Sequence, residues 1–190
     1  MNRGFTLIEL MIGLSILGLL IMLALPSFSV MLANQKIRAQ AESFANGLQT
    51  ARTEAVKRNA QVEFLTSNDD TGIAAQVATL NPVAPNNDGN GLNWAVRVQT
   101  APGVYTFVEG RSTTSTLMMS SAPTTASILF SGLGQAGIAS TVTYQVTNPA
   151  SGLCVAASGS LRCLNVTLSP GGQVRICDPS VTAAGDTRKC

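Results

Sequence analysis

The chain has 190 residues, a length typical of one domain, and only 12% of them are charged, with a net charge of +2. So few charges argue against a strong electrostatic binder of nucleic acid. Histidine is absent from the sequence, which excludes Ser/His/Asp and Cys/His catalytic centres and most zinc sites. We therefore expect no enzyme activity, no metal, no cofactor and no small-molecule substrate.

An apolar run near the N-terminus is the most informative stretch. No charged residue occurs from Leu10 to Gln35, and residues 5–24 are long enough as a helix to cross a bilayer core of roughly 30 Å. Glu9 lies inside the run, where an unpaired carboxylate costs several kcal/mol and is a candidate functional residue. A secretory signal peptide fits poorly because the run is too long and holds this carboxylate. A plain membrane anchor explains the length alone.

The residues on both sides of Gly4 resemble a known processing signal. The sequence Asn2-Arg3-Gly4-Phe5-Thr6-Leu7-Ile8-Glu9-Leu10 is similar to the class III leader of type IV pilins and type II secretion pseudopilins. The resemblance implies that a prepilin peptidase removes residues 1–4 by cutting after Gly4, and that Phe5 is then methylated. It also implies that Glu9 meets the N-terminal amine of a neighbouring subunit. Because pairing removes most of the penalty for burying either charge, Glu9 would set the register between subunits.

The run continues into what we predict to be one long helix over residues 5–58, of which about 5–28 would form membrane or filament core. Pro26 removes an N–H from this helix, so we expect a kink or local melting there. The second half carries an apolar stripe at helical spacing, which should pack on a sheet. The members of the stripe are Ile37, Ala41, Phe44, Leu48, Ala51 and Ala55.

From residue 59 to residue 190 the pattern becomes that of a β-rich head. β-branched residues alternate with Ser and Thr, which predicts antiparallel sheets with one wet face and an α+β fold class. Residues 112–125 are interpreted as a polar connector. The predicted strands are 61–66, 76–80, 94–98, 104–108, 128–130, 142–146 and 161–168.

Several features of the head resemble the GspH/FimT family of minor pilins and pseudopilins. They are residues 52–59 at the helix end, the strand that follows, Asn93-Trp94-Ala95-Val96, and Ile128-Leu129-Phe130 before Gly132 and Gly134. The resemblance implies the type IV pilin fold, a long N-terminal helix packed on antiparallel sheets. It also implies a FimU/FimT-like minor pilin that primes a type IV pilus or lies at its tip. The alternative of the same structural class is a GspH-like pseudopilin of a type II secretion system.

The same resemblance implies partners and a location. The partners would be other minor and major pilins, the prepilin peptidase, the inner-membrane assembly platform and, before assembly, membrane lipid. The chain would cross the inner membrane of a Gram-negative bacterium once, with a periplasmic head, and then join an extracellular pilus.

All four cysteines lie in the C-terminal region 154–190, which suggests disulfides formed in an oxidising compartment. A turn between Cys154 and Cys163 would place them opposite each other on a hairpin. We favour that pair together with Cys177–Cys190. Crossed pairings such as Cys163 with Cys177 stay open, because a turn also lies between those two.

The C-terminal region is also basic. Its segment 172–177 resembles the tail motif of FimT-like pilins, some of which bind DNA during natural transformation through a Gly-Arg-x-Arg version. Here Gln173 replaces the first arginine, which leaves few phosphate contacts, and no aromatic residue lies near for base stacking. We favour solvated arginines on a strand over a DNA-binding pilus component. The candidate DNA contacts are Arg162, Arg175, Arg188 and Lys189.

Overall fold

A long helix opens the structure. The computed structural model describes residues 6–69, 79–113 and 116–190, with the backbone alone at 23–26. The helix, α1, runs over Leu7–Arg58 and has 52 residues. At 1.5 Å per residue it is about 78 Å long, so a small head can cover only part of it.

The two halves of α1 differ in burial. The first half exposes its apolar side chains, whereas the stripe predicted in the second half is fully buried against the head, which confirms that part of the prediction. Lys57 and Arg58 lie in the last turn, where they suit the helix dipole, and Asn59 ends the helix in the left-handed conformation at φ 49°. The buried stripe is Ile37, Ala41, Phe44, Leu48, Ala51 and Ala55.

Within the described residues, eight strands form two antiparallel sheets. The strands are β1 (Val62–Ser67), β2 (Asn93–Ala101), β3 (Val104–Arg111), β4 (Met118–Ala122), β5 (Ser127–Phe130), β6 (Val142–Thr147), β7 (Leu164–Leu168) and β8 (Val174–Cys177). The first sheet has the order β3-β2-β1-β5 and the second has the order β4-β6-β7-β8. The predicted α+β class, a long helix on antiparallel sheets, is confirmed.

One helix residue joins both sheets to α1. The ring of Phe44 meets Phe64 of β1 edge-on at 5.0 Å between ring centroids, and it meets Tyr144 of β6 at 4.6 Å. All three side chains are almost wholly buried, and burial raises the pKa of Tyr144 well above its usual range. The second half of α1 and the two sheets therefore share one core.

Most predicted strands correspond to observed ones, with shifted ends. The strands predicted at 94–98 and 104–108 are β2 and β3, which pair as a hairpin, and both are longer than predicted. The strand predicted at 76–80 falls largely outside the described residues, and Thr79 and Leu80 are not in a strand. The strand predicted from residue 161 begins only at Leu164.

The interpretation of residues 112–125 as a connector was wrong, because β4 lies inside that segment. Met119 pairs with Val146 of β6, and Ser121 pairs with Tyr144. This edge strand was not predicted because its segment is polar. In the structure, the buried Ser121 hydroxyl donates to the Pro85 carbonyl instead of to water. A polar strand is stable here because its hydroxyl is hydrogen-bonded.

Gly47 is a position where α1 packs tightly against the first sheet. A Cβ at Gly47 would lie 2.7 Å from Cε3 of the buried Trp94 ring. Alanine favours a helix by about 1 kcal/mol over glycine, but overpacking costs roughly 1–3 kcal/mol. We therefore expect Gly47→Ala to lower the free energy of unfolding by up to about 2 kcal/mol, measured by denaturation of the full chain in detergent. The exposed neighbour variant Asn46→Ala should change it little, and a stabilised Gly47→Ala would contradict this packing.

Candidate functional site

The first half of α1 presents a continuous apolar surface. Its large apolar side chains are 42–78% exposed. Among the described residues, α1 is the one helix long and apolar enough to cross a membrane. Soluble monomers rarely expose apolar patches above a few hundred Å², so lipid or other apolar helices must cover this surface. Its members are Leu7, Ile8, Leu10, Met11, Ile12, Leu14, Ile16, Leu17, Leu19, Leu20, Ile21, Met22, Phe28, Met31 and Leu32.

Glu9 forms a capping box with Thr6 at the start of this surface. The Glu9 N–H donates to Thr6 Oγ1 at 3.3 Å, while the Thr6 N–H and hydroxyl reach Glu9 Oε2 at 3.4 and 3.3 Å. Glu9 Oε1 receives no hydrogen bond from the described part of the chain. A carboxylate offers about four lone-pair sites, so Glu9 can hold its own helix end and still accept from a neighbouring cation.

The other residues of the predicted N-terminal site are less fully described. Gly4 and Phe5, the predicted cleavage and methylation residues, lie outside the described residues. The helix continues through Pro26. The kink or local melting predicted there stays a prediction.

The C-terminal region holds two disulfides in the pairing that we favour from the sequence. Cys154 bonds Cys163, with Cα atoms 5.5 Å apart, and Cys177 bonds Cys190, with Cα atoms 5.0 Å apart. The first bridge closes a loop before β7, and the second ties the last residue to the end of β8. The first loop therefore lies between β6 and β7 of the second sheet, and the second loop follows β8.

Arg175 holds the C-terminal tail. One guanidinium nitrogen, Nη2, donates to the carbonyls of Thr187 and Lys189, at 2.6 Å each. The Asp178 N–H also donates to the Arg188 carbonyl. Arg175 therefore acts together with the second disulfide to fasten residues 178–190 beside β8.

The other predicted DNA contacts have partners in the chain as well. Arg188 makes a two-point ion pair with Asp186, whose pKa it lowers to about 2, so this carboxylate is charged at neutral pH and offsets the arginine. Arg162 Nε lies 3.8 Å from Asp178 Oδ2. Lys189 Nζ donates to a backbone carbonyl at 3.4 Å. The four cations do not form one free basic surface.

The role of Arg175 can be tested in the full chain. We expect Arg175→Ala to speed amide hydrogen exchange in residues 178–189 by about tenfold, because two charge-assisted hydrogen bonds are lost. The control Arg58→Ala removes an arginine from an ion pair at the end of α1 and should leave that exchange unchanged. Unchanged exchange in Arg175→Ala would show that the disulfide alone holds the tail.

A groove of about 690 Å³ lies between α1 and the C-terminal region. Ser27, Val30 and Met31 line it on the helix side, and Arg162 and Arg188 line it from the head. The groove opens where the apolar surface of α1 ends. Arg38, Glu42 and Asp178 also line it, so the groove holds side chains of both charges.

Sequence reasoning overlooked two contacts. Thr6 belongs to the pattern Thr-x-x-Glu, a known signature of helix capping, and this spacing could have identified it. Asn34 accepts a hydrogen bond from the backbone of Arg162, and nothing in the sequence indicates so distant a partner. In the described ranges, no cluster of three or more Cys, Asp or Glu could hold a metal ion.

Comparison with known proteins gives both family and fold. Residues 40–172 match the family model of type II transport protein GspH, and residues 1–25 match the prokaryotic N-terminal methylation motif. A search of curated proteins found no match.

Three solved structures are similar. Two are crystal forms of the type IV minor pilin FimU of Pseudomonas aeruginosa, with TM-scores of 0.54 and 0.52 and 15% identity. They cover 79% and 77% of this chain, and 94% and 97% of theirs. The third is the minor pseudopilin EpsH of Vibrio cholerae, with a TM-score of 0.48 and 12% identity, over 76% of this chain and 98% of its own. At such identities the FimU likeness shows the fold alone.

Proposed function

The chain belongs to the GspH family of minor pilins and pseudopilins, and on that premise we propose that it is a minor pilin of a type IV pilus. It would prime assembly of the pilus or lie at its tip. The observation that carries the proposal is the exposed apolar first half of α1. The same helix continues without interruption into a second half that packs against the head. Its role is to assemble with other pilins rather than to catalyse a reaction.

The N-terminal sequence is the basis for the proposed order of cleavage, methylation and assembly. A prepilin peptidase of the inner membrane cuts after Gly4, and Phe5 becomes the methylated first residue. The apolar half of α1 spans the inner membrane of a Gram-negative cell, with the head in the periplasm. The assembly platform then moves the chain into a filament, where helices of major and minor pilins replace lipid around α1. The N-terminal methylation motif that matches residues 1–25 supports this order of events.

Glu9 would guide this transfer. Its Oε1 accepts no hydrogen bond from the residues that the structure describes, while Oε2 is held by Thr6, so the carboxylate is oriented before a neighbour arrives. An incoming N-terminal ammonium would supply the missing partner, and both buried charges would lose most of their desolvation penalty. Only a subunit at the right height along the filament axis could do so.

A pseudopilin of a type II secretion system is the second candidate. The matching family, type II transport protein GspH, favours it by its name. The proposal does not extend to DNA capture, because three of the four candidate contacts, Arg175, Arg188 and Lys189, are hydrogen-bonded within the chain.

Deleting the encoding gene from its host separates the two candidates. We expect sheared surface pili to fall sharply and secretion of a type II substrate to continue, with wild-type chain restoring the pili. The matched complement Gly4→Ala should restore them more weakly, because its leader is removed more slowly. Lost secretion with normal pili would favour the pseudopilin, and no change in either would contradict both roles.

A further inference from the structure

The Cys154–Cys163 disulfide closes a loop at the base of the head, beside the point where α1 leaves it. We call residues 152–163 the basal loop. The backbone N–H of Arg162 donates to Asn34 Oδ1 at 2.8 Å. Asn34 lies only two residues after Leu32, the last member of the exposed apolar surface. The basal loop is therefore held level with the end of that surface.

The basal loop exposes apolar side chains at this level. Leu153 is 66% exposed and Val155 is 44% exposed. Leu161, which comes later in the loop and directly precedes Arg162, is fully buried. The Leu161 N–H donates to the Leu153 carbonyl at 3.0 Å, and its own carbonyl accepts from the Val155 N–H at 2.7 Å. Leu161 thus anchors the loop in the core and fixes the backbone of the two exposed residues.

A positive side chain accompanies them. The Arg162 side chain is 61% exposed, and its ion pair with Asp178 is a long one, with 3.8 Å between Nε and Oδ2. Arg162 shares its groove with Val30 and Met31, residues at the end of the apolar surface. Its guanidinium can therefore reach an anion at the boundary between apolar and polar surroundings.

We propose that the basal loop rests on the bilayer surface while the chain is anchored in the membrane. Leu153 and Val155 lie among the lipid headgroups, and Arg162 binds the phosphate of an anionic phospholipid. The inference rests on the membrane-anchored state in the proposed function. Two observations select lipid as the occupant: Arg162 of the loop lines a groove together with Val30 and Met31 of α1, and its charge complements a phosphate.

Another exposed leucine provides a matched control. Leu133 is 81% exposed, but its turn lies against the far end of α1, since a Cβ on the adjacent Gly132 would be 2.7 Å from Asn59 Oδ1. Asn34 and Asn59 are separated by about 37 Å of helix. Leu133 should never touch the bilayer on which the basal loop rests.

Quenching by brominated lipids tests the contact in the full chain, reconstituted in phosphatidylglycerol–phosphatidylcholine vesicles. The wild-type signal comes from Trp94, which is buried in the head, and serves as background. We expect bromines near the headgroups to quench the added tryptophan of Leu153→Trp at least about twofold more than that of Leu133→Trp. The variant Ile16→Trp should be quenched by bromines deeper in the bilayer.

Failure of the basal-loop contact and failure of the membrane anchor give different quenching results. If the added tryptophan of Ile16→Trp is quenched and that of Leu153→Trp is not, the basal-loop contact is overturned and the membrane anchor stands. Absence of quenching in Ile16→Trp would overturn the anchor and the inference together.

The phosphate contact has its own test. Raising the phosphatidylglycerol fraction should increase quenching of Leu153→Trp, and adding Arg162→Gln should abolish that increase. Adding Lys57→Gln, at the far end of α1, should not. An increase that survives Arg162→Gln would overturn the role of Arg162.

Discussion

Replacing Phe44 by alanine is expected to lower the free energy of unfolding of the head by about 3–5 kcal/mol. The Phe44 ring fills the space between α1, Phe64 of the first sheet and Tyr144 of the second. Because it is fully buried at that junction, its loss leaves a cavity that three elements would have to close together. Denaturation of the full chain in detergent, followed by circular dichroism, measures the change.

Phe28→Ala is the matched control, since it removes the same ring from an exposed position of the same helix. We expect it to leave the unfolding of the head nearly unchanged. If Phe44→Ala cost less than about 1 kcal/mol, the two sheets would not depend on this ring for a common core.

Replacing Glu9 by alanine is expected to reduce incorporation into filaments by at least about tenfold, while membrane insertion and leader removal continue. The N-terminal ammonium of the neighbouring subunit would then be buried without a partner. Burying an unpaired charge costs several kcal/mol. A tenfold effect corresponds to only about 1.4 kcal/mol, so part of that cost is enough. Immunoblots of sheared filaments against membrane fractions measure incorporation. Normal incorporation of Glu9→Ala would contradict the register role.

Two further variants separate charge pairing from helix capping. Thr6→Ala removes the capping box but keeps the carboxylate, so it should reduce incorporation less than Glu9→Ala. Ser15→Ala removes a hydroxyl that donates only to the Met11 carbonyl of the same helix, and it should have no effect. If Thr6→Ala matched Glu9→Ala, Glu9 would act by capping its own helix.

The sequence predicted α1 and its two halves because helical periodicity is a local signal that survives over many turns. The stripe from Ile37 to Ala55 repeats at the spacing of a helix face, and every member is buried. Likewise, the strands around Trp94 and Phe64 carry the apolar alternation of half-buried sheet. The type of each of these elements can therefore be predicted from its own residues.

Edge strand β4 could not be recognised in this way. Its sequence, Met118–Ala122, contains two serines, and it becomes a strand through pairing with β6 and through a side-chain hydrogen bond to a distant loop. The tail illustrates the same limit. The sequence presents Arg175 as a solvated cation, whereas its guanidinium binds carbonyls 12 and 14 residues further along the chain.

In the proposed function, α1 stays attached to the head and serves as the assembly element. Intact-mass analysis of the chain from host membranes and from sheared filaments tests it most directly. We predict a chain that begins at Phe5, carries one added methyl group and has all four cysteines oxidised in both fractions. A soluble head that begins after the apolar run, with α1 cut as a secretory signal peptide would be, would contradict the claim.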